Sequence, residues 1–191
     1  MTDSHDRAAS RATERDLILR ARRGEAADAY GELVRSYQVS VFNVCYRLLG
    51  ERREAEDMAQ EAFIRAYERL NTFDVERPFG PWIRRVAANL CLNRLEARPP
   101  VHVELDEERD ETGRWEQGDP ARARERAESA EAVRAALLSL PPHYRAVVEL
   151  RHFQDLSYAE IAEALNLPLS DVKSHLFRAR KLLAEKLQAH D

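Results

Sequence analysis

Residues 156–186 read LSYAEIAEALNLPLSDVKSHLFRARKLLAEK, and this stretch constrains the chain more than any other. Its apolar positions recur at helical spacing in two blocks separated by Asn166, Leu167 and Pro168, which predicts two short helices joined by a tight turn. Ser157 stands where an N-cap is needed, and Glu160, three residues on, completes a capping-box pattern. Ile161, Ala162 and Leu165 share one face, and small Ala162 permits a close helix crossing. Asn166 tolerates the left-handed backbone that such a turn demands. Leu167 plugs the turn, Pro168 halts the first helix, and Ser170 supplies a cap for the second. Val172 and Leu176 point inward, leaving Lys173, Ser174, Phe177, Arg178 and Lys181 outside. One helix bracing a second whose face is exposed is the arrangement that enters a DNA major groove. The same pattern fits an αα-hairpin with a solvated basic face. Charge placement favours the groove reader: residues 173–186 carry five basic residues and one acid, in a chain of formal net charge −4.

The remaining composition narrows the class. Hydrophobic residues make up 44% of the 191, enough for a core, and only six are glycine, which favours an all-helical protein. No apolar run reaches membrane-span length. The first 15 residues lack the apolar block of a signal peptide and predict a disordered tail, so a soluble cytoplasmic protein is expected. Cys45 and Cys91 sit in apolar helical stretches without metal-ligand spacing and read as buried small hydrophobes. The six histidines show no HxxxH or HExxH spacing, and there is no phosphate-cradling glycine loop or GxSxG, so neither catalysis, nor a metal, nor a cofactor is expected.

Along the chain, helical periodicity starts near Asp16, breaks at Gly24, resumes over 27–37 and runs on through Val41, Val44, Cys45, Leu48 and Leu49 until Gly50. Residues 54–70, EAEDMAQEAFIRAYERL, predict a helix with Ala55, Met58, Ala59, Ala62, Ala66, Tyr67 and Leu70 buried. Asp57, Gln60, Glu61, Ile64 and Glu68 line its other face. An apolar Ile64 among acids marks a docking surface more than a solvated face. A loop over 71–81 carries Phe73 and Phe79, and a helix over 82–98 follows. Arg85, Asn89, Leu92, Asn93 and Glu96 share one stripe of it. Phe73, Phe79 and Trp82 beside arginine and asparagine suit single-stranded nucleic acid, whose bases stack on rings. Core anchoring explains the same rings equally well. Residues 99–121 carry eight acids and two arginines, a net of −6, and predict a linker. Helix resumes near Arg122, breaks at Pro141-Pro142 and restarts with Tyr144, Val147, Val148 and Arg151 on one side.

From about residue 16 to 187 the order and spacing of three segments, EAEDMAQEAFIRAYERL, RPFGPWIRRVAANLCLNRL and the stretch from LSLPPHYRAVVEL to RARKLL, resemble bacterial sigma factors of the extracytoplasmic-function group. The resemblance implies an all-α chain of two small helical domains: a tail over 1–15, sigma-2 over 16–98, an acidic flexible linker over 99–124 and a helix-turn-helix sigma-4 over 125–188. It implies a dissociable initiation subunit, monomeric when free, that binds the β′ clamp helices and β flap of core RNA polymerase, promoter DNA, and an anti-sigma factor. Asp57, Gln60 and Glu61, with Ile64 beside them, match the polymerase-gripping helix. Phe73, Phe79, Trp82, Arg85, Asn89 and Asn93 fall in the part that melts and holds the minus-ten element. Ser170, Lys173, Ser174, His175, Phe177, Arg178 and Lys181 fall in the part that reads the minus-thirty-five element. Asn166 and Ser170-Asp171 depart from the glycine and Gly-Thr that many relatives carry there. The competing reading is a stand-alone helix-turn-helix repressor or activator that binds an operator as a dimer. It would need a sensor or receiver domain, and residues 16–98 show neither strand alternation nor a sensor motif.

Overall fold

A computed structural model describes residues 13–23, 27–97 and 130–188, and every described element is helical. Of the tail expected over 1–15, residues 13–15 are helical instead and open the first helix; residues 1–12 and the acidic linker expected over 99–124 lie outside the described residues. In order the helices are α1 (13–22), α2 (Ala27–Leu49), α3 (Arg52–Glu68), α4 (Phe79–Glu96), α5 (130–138), α6 (Pro142–Val148), α7 (Tyr158–Leu165) and α8 (Leu169–Gln188). They form two compact units. The first takes the described residues up to Tyr46 and then Arg52–Cys91; the second takes Arg47–Glu51 and the described residues from Leu92 onward.

The first unit is built on small residues. Ala55, Ala59, Ala62 and Ala66 form a buried ladder along α3, which lets neighbouring helices approach closely. Phe63 is buried beside them, while Tyr67, expected in that stripe, is 54% exposed and lays its ring against Tyr30 at 4.9 Å. The periodicity misassigned Tyr67 because an aromatic ring that covers a helix edge need not enter the core. Cys45 and Cys91 are buried free thiols, as expected. Gly50, at φ +81°, ends α2 in the left-handed region that costs glycine least.

Long-range polar bonds tie the connections down. Arg22 donates from Nε to the Leu70 carbonyl at 2.9 Å and from Nη2 to the Phe73 carbonyl, pinning the 3₁₀ turn Leu70–Thr72 and the chain after it. The Glu14 carboxylate accepts from the Tyr37 hydroxyl and, at 3.3 Å, from the Phe79 amide at the start of α4. That amide is one of the four a helix cannot satisfy internally. Burial, and then the bond to Glu14, push the Tyr37 phenol well above its ordinary range, so it remains a donor. The N-terminus of α4 then lies so close to α2 that a Cβ on Gly80 would stand 2.7 Å from Tyr37 Cε1.

Among the described residues of the second unit two charges are buried. Arg145, 6% exposed, donates to the carbonyls of Leu138 at 2.5 Å, Leu140 at 3.0 Å, and Leu48. Glu149, 2% exposed, accepts from Arg47 through Nε at 2.6 Å and Nη2 at 3.0 Å, and from Gln154 Nε2 at 2.9 Å. Buried charges are tolerated when donors and acceptors are matched in this way. The helix expected to continue through Arg151 widens instead into a π turn over Glu149–Phe153, and Asp155 turns the chain at φ 53°.

Gly80 yields a stability test. Tyr37 cannot swing away cheaply, since Glu14 holds its hydroxyl and Phe79 packs on its ring at 5.6 Å. Gly80→Ala should destabilise the chain by about 1–3 kcal/mol, read as a lower urea midpoint with unchanged slope. Combined with Tyr37→Leu it should cost less than the sum of the two single changes, because the smaller side chain removes the clash.

Candidate nucleic-acid interface

The turn that aims α8 forms as its residues dictate. Ser157 Oγ accepts from the Glu160 amide at 3.2 Å, and the Glu160 carboxylate accepts from the Ser157 amide at 2.8 Å. Both halves of the capping box are therefore made. Asn166 closes α7 at φ 51°, ψ 44°, and the Leu167 amide donates to the Ala162 carbonyl at 3.0 Å. Helix α8 starts at Leu169, so Ser170 lies inside its first turn and bonds Asp171 rather than capping the helix. The cap position falls to Pro168, whose carbonyl accepts from the Asp171 and Val172 amides.

Val172, Leu176 and Ala179 bury one side of α8. The opposite side presents Lys173, Ser174, Phe177, Arg178 and Lys181 to solvent, with the Phe177 ring 73% exposed. An aromatic ring left that bare among cations is a surface waiting for a partner. His175 belongs to neither side. It is half-buried, 5.0 Å from the Tyr144 ring and 6.1 Å from the His143 ring, with an unpartnered Nδ1. The resemblance grouped His175 with the reading face; the packing of α6 across α8 turns it inward. Tyr144 also accepts from Arg178 Nη1 at 3.3 Å. No local periodicity could reveal a contact between residues 34 apart.

Two further surfaces lie along α3 and α4. On α3, Asp57, Gln60 and Ile64 are exposed, Ile64 at 55%, and Glu61 is half-buried and paired with Arg65 at 2.6 Å. The expected docking stripe is thus presented as one face. At the start of α4 and in the segment before it, two of the expected stacking rings are core residues: Phe79 is fully buried and Phe73 is 7% exposed. Both pack on Trp82, at 5.4 Å and 4.6 Å between centroids. Burying them excludes water from three rings at once, so packing takes their faces. The half-buried Trp82, Arg85 and Asn89, with exposed Asn93, remain as a stripe along α4. Leu92, expected on that stripe, is buried.

Comparison with known proteins follows the same division. The sigma-70 region 2 family matches residues 33–98, and the sigma-70 region 4 family matches residues 130–183. The chain is 36% identical over 169 residues to the ECF RNA polymerase sigma factor SigW of Bacillus subtilis, covering 84% of this chain and 90% of the relative. It is 34% identical to the RNA polymerase sigma-H factor of Pseudomonas aeruginosa, covering 92% of this chain and 94% of that one. Among solved structures, CnrH in complex with the cytosolic domain of CnrY has a similar fold, with TM-score 0.64, 23% identity, and coverage of 94% of this chain and 99% of that one. The sigma factor RpoE of Bartonella quintana, in complex with the anti-sigma factor NepR, also aligns with TM-score 0.64, at 17% identity over 83% of this chain and 96% of that one.

His175 makes stability pH-dependent. Desolvation, then the nearby His143, lower its pKa from the usual 6.5; Arg178 acts in the same direction and Asp171 opposes. The folded chain therefore holds His175 neutral where the unfolded chain takes up a proton. Stability should fall as the pH drops through 6.5 and level off below the folded value. Urea unfolding of the wild type and His175→Leu between about pH 8 and about pH 5 should give curves that diverge below 6.5, the wild type losing more.

Proposed function

The chain belongs to the extracytoplasmic-function group of the sigma-70 family, the factors that direct core RNA polymerase to promoters, and we propose how that work is divided among its surfaces. The exposed face of α8 reads the upstream promoter element. Lys173, in its first turn, reaches guanine O6 and N7, and Phe177 meets a thymine methyl. Arg178 and Lys181, a turn further on, contact phosphate. Ser170 and Ser174 flank the entry point. The observation that carries this reading is the bare Phe177 ring among cations, on a helix whose other side buries Val172, Leu176 and Ala179. The α4 stripe of Trp82, Arg85, Asn89 and Asn93 holds the opened minus-ten strand, with Phe73 and Phe79 backing the tryptophan. The α3 face of Asp57, Gln60, Glu61 and Ile64 grips the β′ clamp helices, and the second unit docks on the β flap. Bond-making stays with the polymerase.

The solved relatives in complexes support an anti-sigma factor as a further partner, one that covers the polymerase- and DNA-binding surfaces. No helix among the described residues is long and apolar enough to cross a membrane. Partnership with core RNA polymerase is what supports action in the cytoplasm, and the chain is read as a monomer until captured. The stand-alone regulator reading is disfavoured, because regions 2 and 4 occur together and in order on this chain.

Charge reversal tests the polymerase face. Asp57→Lys combined with Glu61→Lys should weaken core-polymerase binding at least about tenfold, since like charge replaces attraction across an interface. The unfolding midpoint should shift little, because Asp57 is exposed and the Glu61–Arg65 pair that is lost is a partly exposed one along a single helix. A competition assay against wild-type factor measures the first and urea titration the second.

Lysine truncation tests the reading face. Lys173→Ala should cost about 1–3 kcal/mol at the cognate upstream element and relax its base preference. Lys181→Ala should weaken all promoters alike and reduce the salt slope by about one. Selection from a promoter library with each holoenzyme separates the two outcomes.

A further inference from the structure

We infer that Tyr144 is a positioning residue for promoter recognition: it holds the Arg178 guanidinium ready for a backbone phosphate and steadies the reading helix through His175. The inference rests on the assignment of the α8 face to promoter DNA. Tyr144 stands in the first turn of α6 and is half-buried. Its hydroxyl accepts from Arg178 Nη1 at 3.3 Å, and its ring lies 5.0 Å from the His175 ring at a tilt of 46°. His175 and Arg178 are three residues apart on α8, so one side chain from another helix touches two successive turns of the reader.

Arg178 is exposed, in line with Phe177 and Lys181. An exposed arginine loses rotamer freedom when it grips a phosphate, and that loss opposes binding. A guanidinium already hydrogen-bonded to a fixed phenol has surrendered part of that freedom beforehand. The phenol uses one N–H of five and leaves enough for a bidentate grip. Tyrosine suits the task because its ring is anchored by packing while its oxygen reaches past the edge of the helix. Phenylalanine would keep the packing and lose the hold on Arg178, which separates positioning from simple support.

The test uses the full chain bound to core RNA polymerase, on promoter fragments that the wild-type holoenzyme selects from a random library. Tyr144→Phe should weaken promoter binding about threefold to tenfold, with the unfolding midpoint and salt slope unchanged, because Arg178 still meets its phosphate. Arg178→Ala should weaken binding and lower the salt slope by about one. The double variant should bind no worse than Arg178→Ala alone. Wild-type affinity in Tyr144→Phe, or losses that multiply in the double variant, would overturn the positioning role while leaving the α8 assignment standing. An Arg178→Ala variant with wild-type affinity and salt slope would bring down the assignment of Arg178 to DNA and the role of Tyr144 with it.

Discussion

The second unit depends on a buried guanidinium. Arg145 gives its donors to the carbonyls of Leu138, Leu140 and Leu48. Carbonyls at a helix end have no partner within their own helix, and inside a protein an unmet one is costly. By tying them off, Arg145 joins the end of α5 to the start of α6. The α6 helix has seven residues, too few to persist in water without tertiary support. Glu149, one turn on, is buried the same way and satisfied by Arg47 and Gln154. These two charges set where α6 lies, and α6 carries Tyr144 and packs along α8. On the proposed assignment of α8 to promoter DNA, the orientation of its exposed face is set by polar bonds buried away from that face.

The turn between α7 and α8 works by a different economy. Its capping box, left-handed asparagine and proline are local devices, each satisfied by residues within a few positions of itself. Local devices form the same way whatever surrounds them. They make the turn a rigid corner that delivers α8 at a set angle with one side buried and the other bare. The asparagine does what glycine does elsewhere, at a small conformational cost that its short polar side chain limits.

Charge is distributed so that an acidic chain can still read DNA. The net of −4 opposes free binding to a polyanion. On the proposed assignment, the local excess of cations along α8 and around α4 would act once core polymerase brings it to the promoter, since tethering raises the effective concentration of weak contacts. Self-sufficient affinity would be salt-sensitive and indiscriminate.

The elements with local causes were legible in the sequence: the long helices from their 3.6-residue period, the Ser157–Glu160 cap, the left-handed Asn166, the Gly50 stop, the bare face of α8 and the mixed acidic and apolar stripe on α3. Residues whose fate is decided by a distant partner were not. Tyr67 and Leu92 exchanged the exposure their periodicity implied, Phe73 and Phe79 went into the core with Trp82, and His175 turned toward Tyr144. Periodicity says which side of a helix a residue is on. It cannot say how wide the buried sector is, because that width is set by the helices packed against it. The buried roles of Arg145 and Glu149 were equally hidden, because a charged residue in a sequence reads as surface until the fold supplies carbonyls or a counter-charge to hold it inside. The sequence alone determined the long helices and the chemistry of the exposed face of α8; only the tertiary structure decided which aromatic rings and charges went into the core, because burial is a property of neighbours and not of the residue itself.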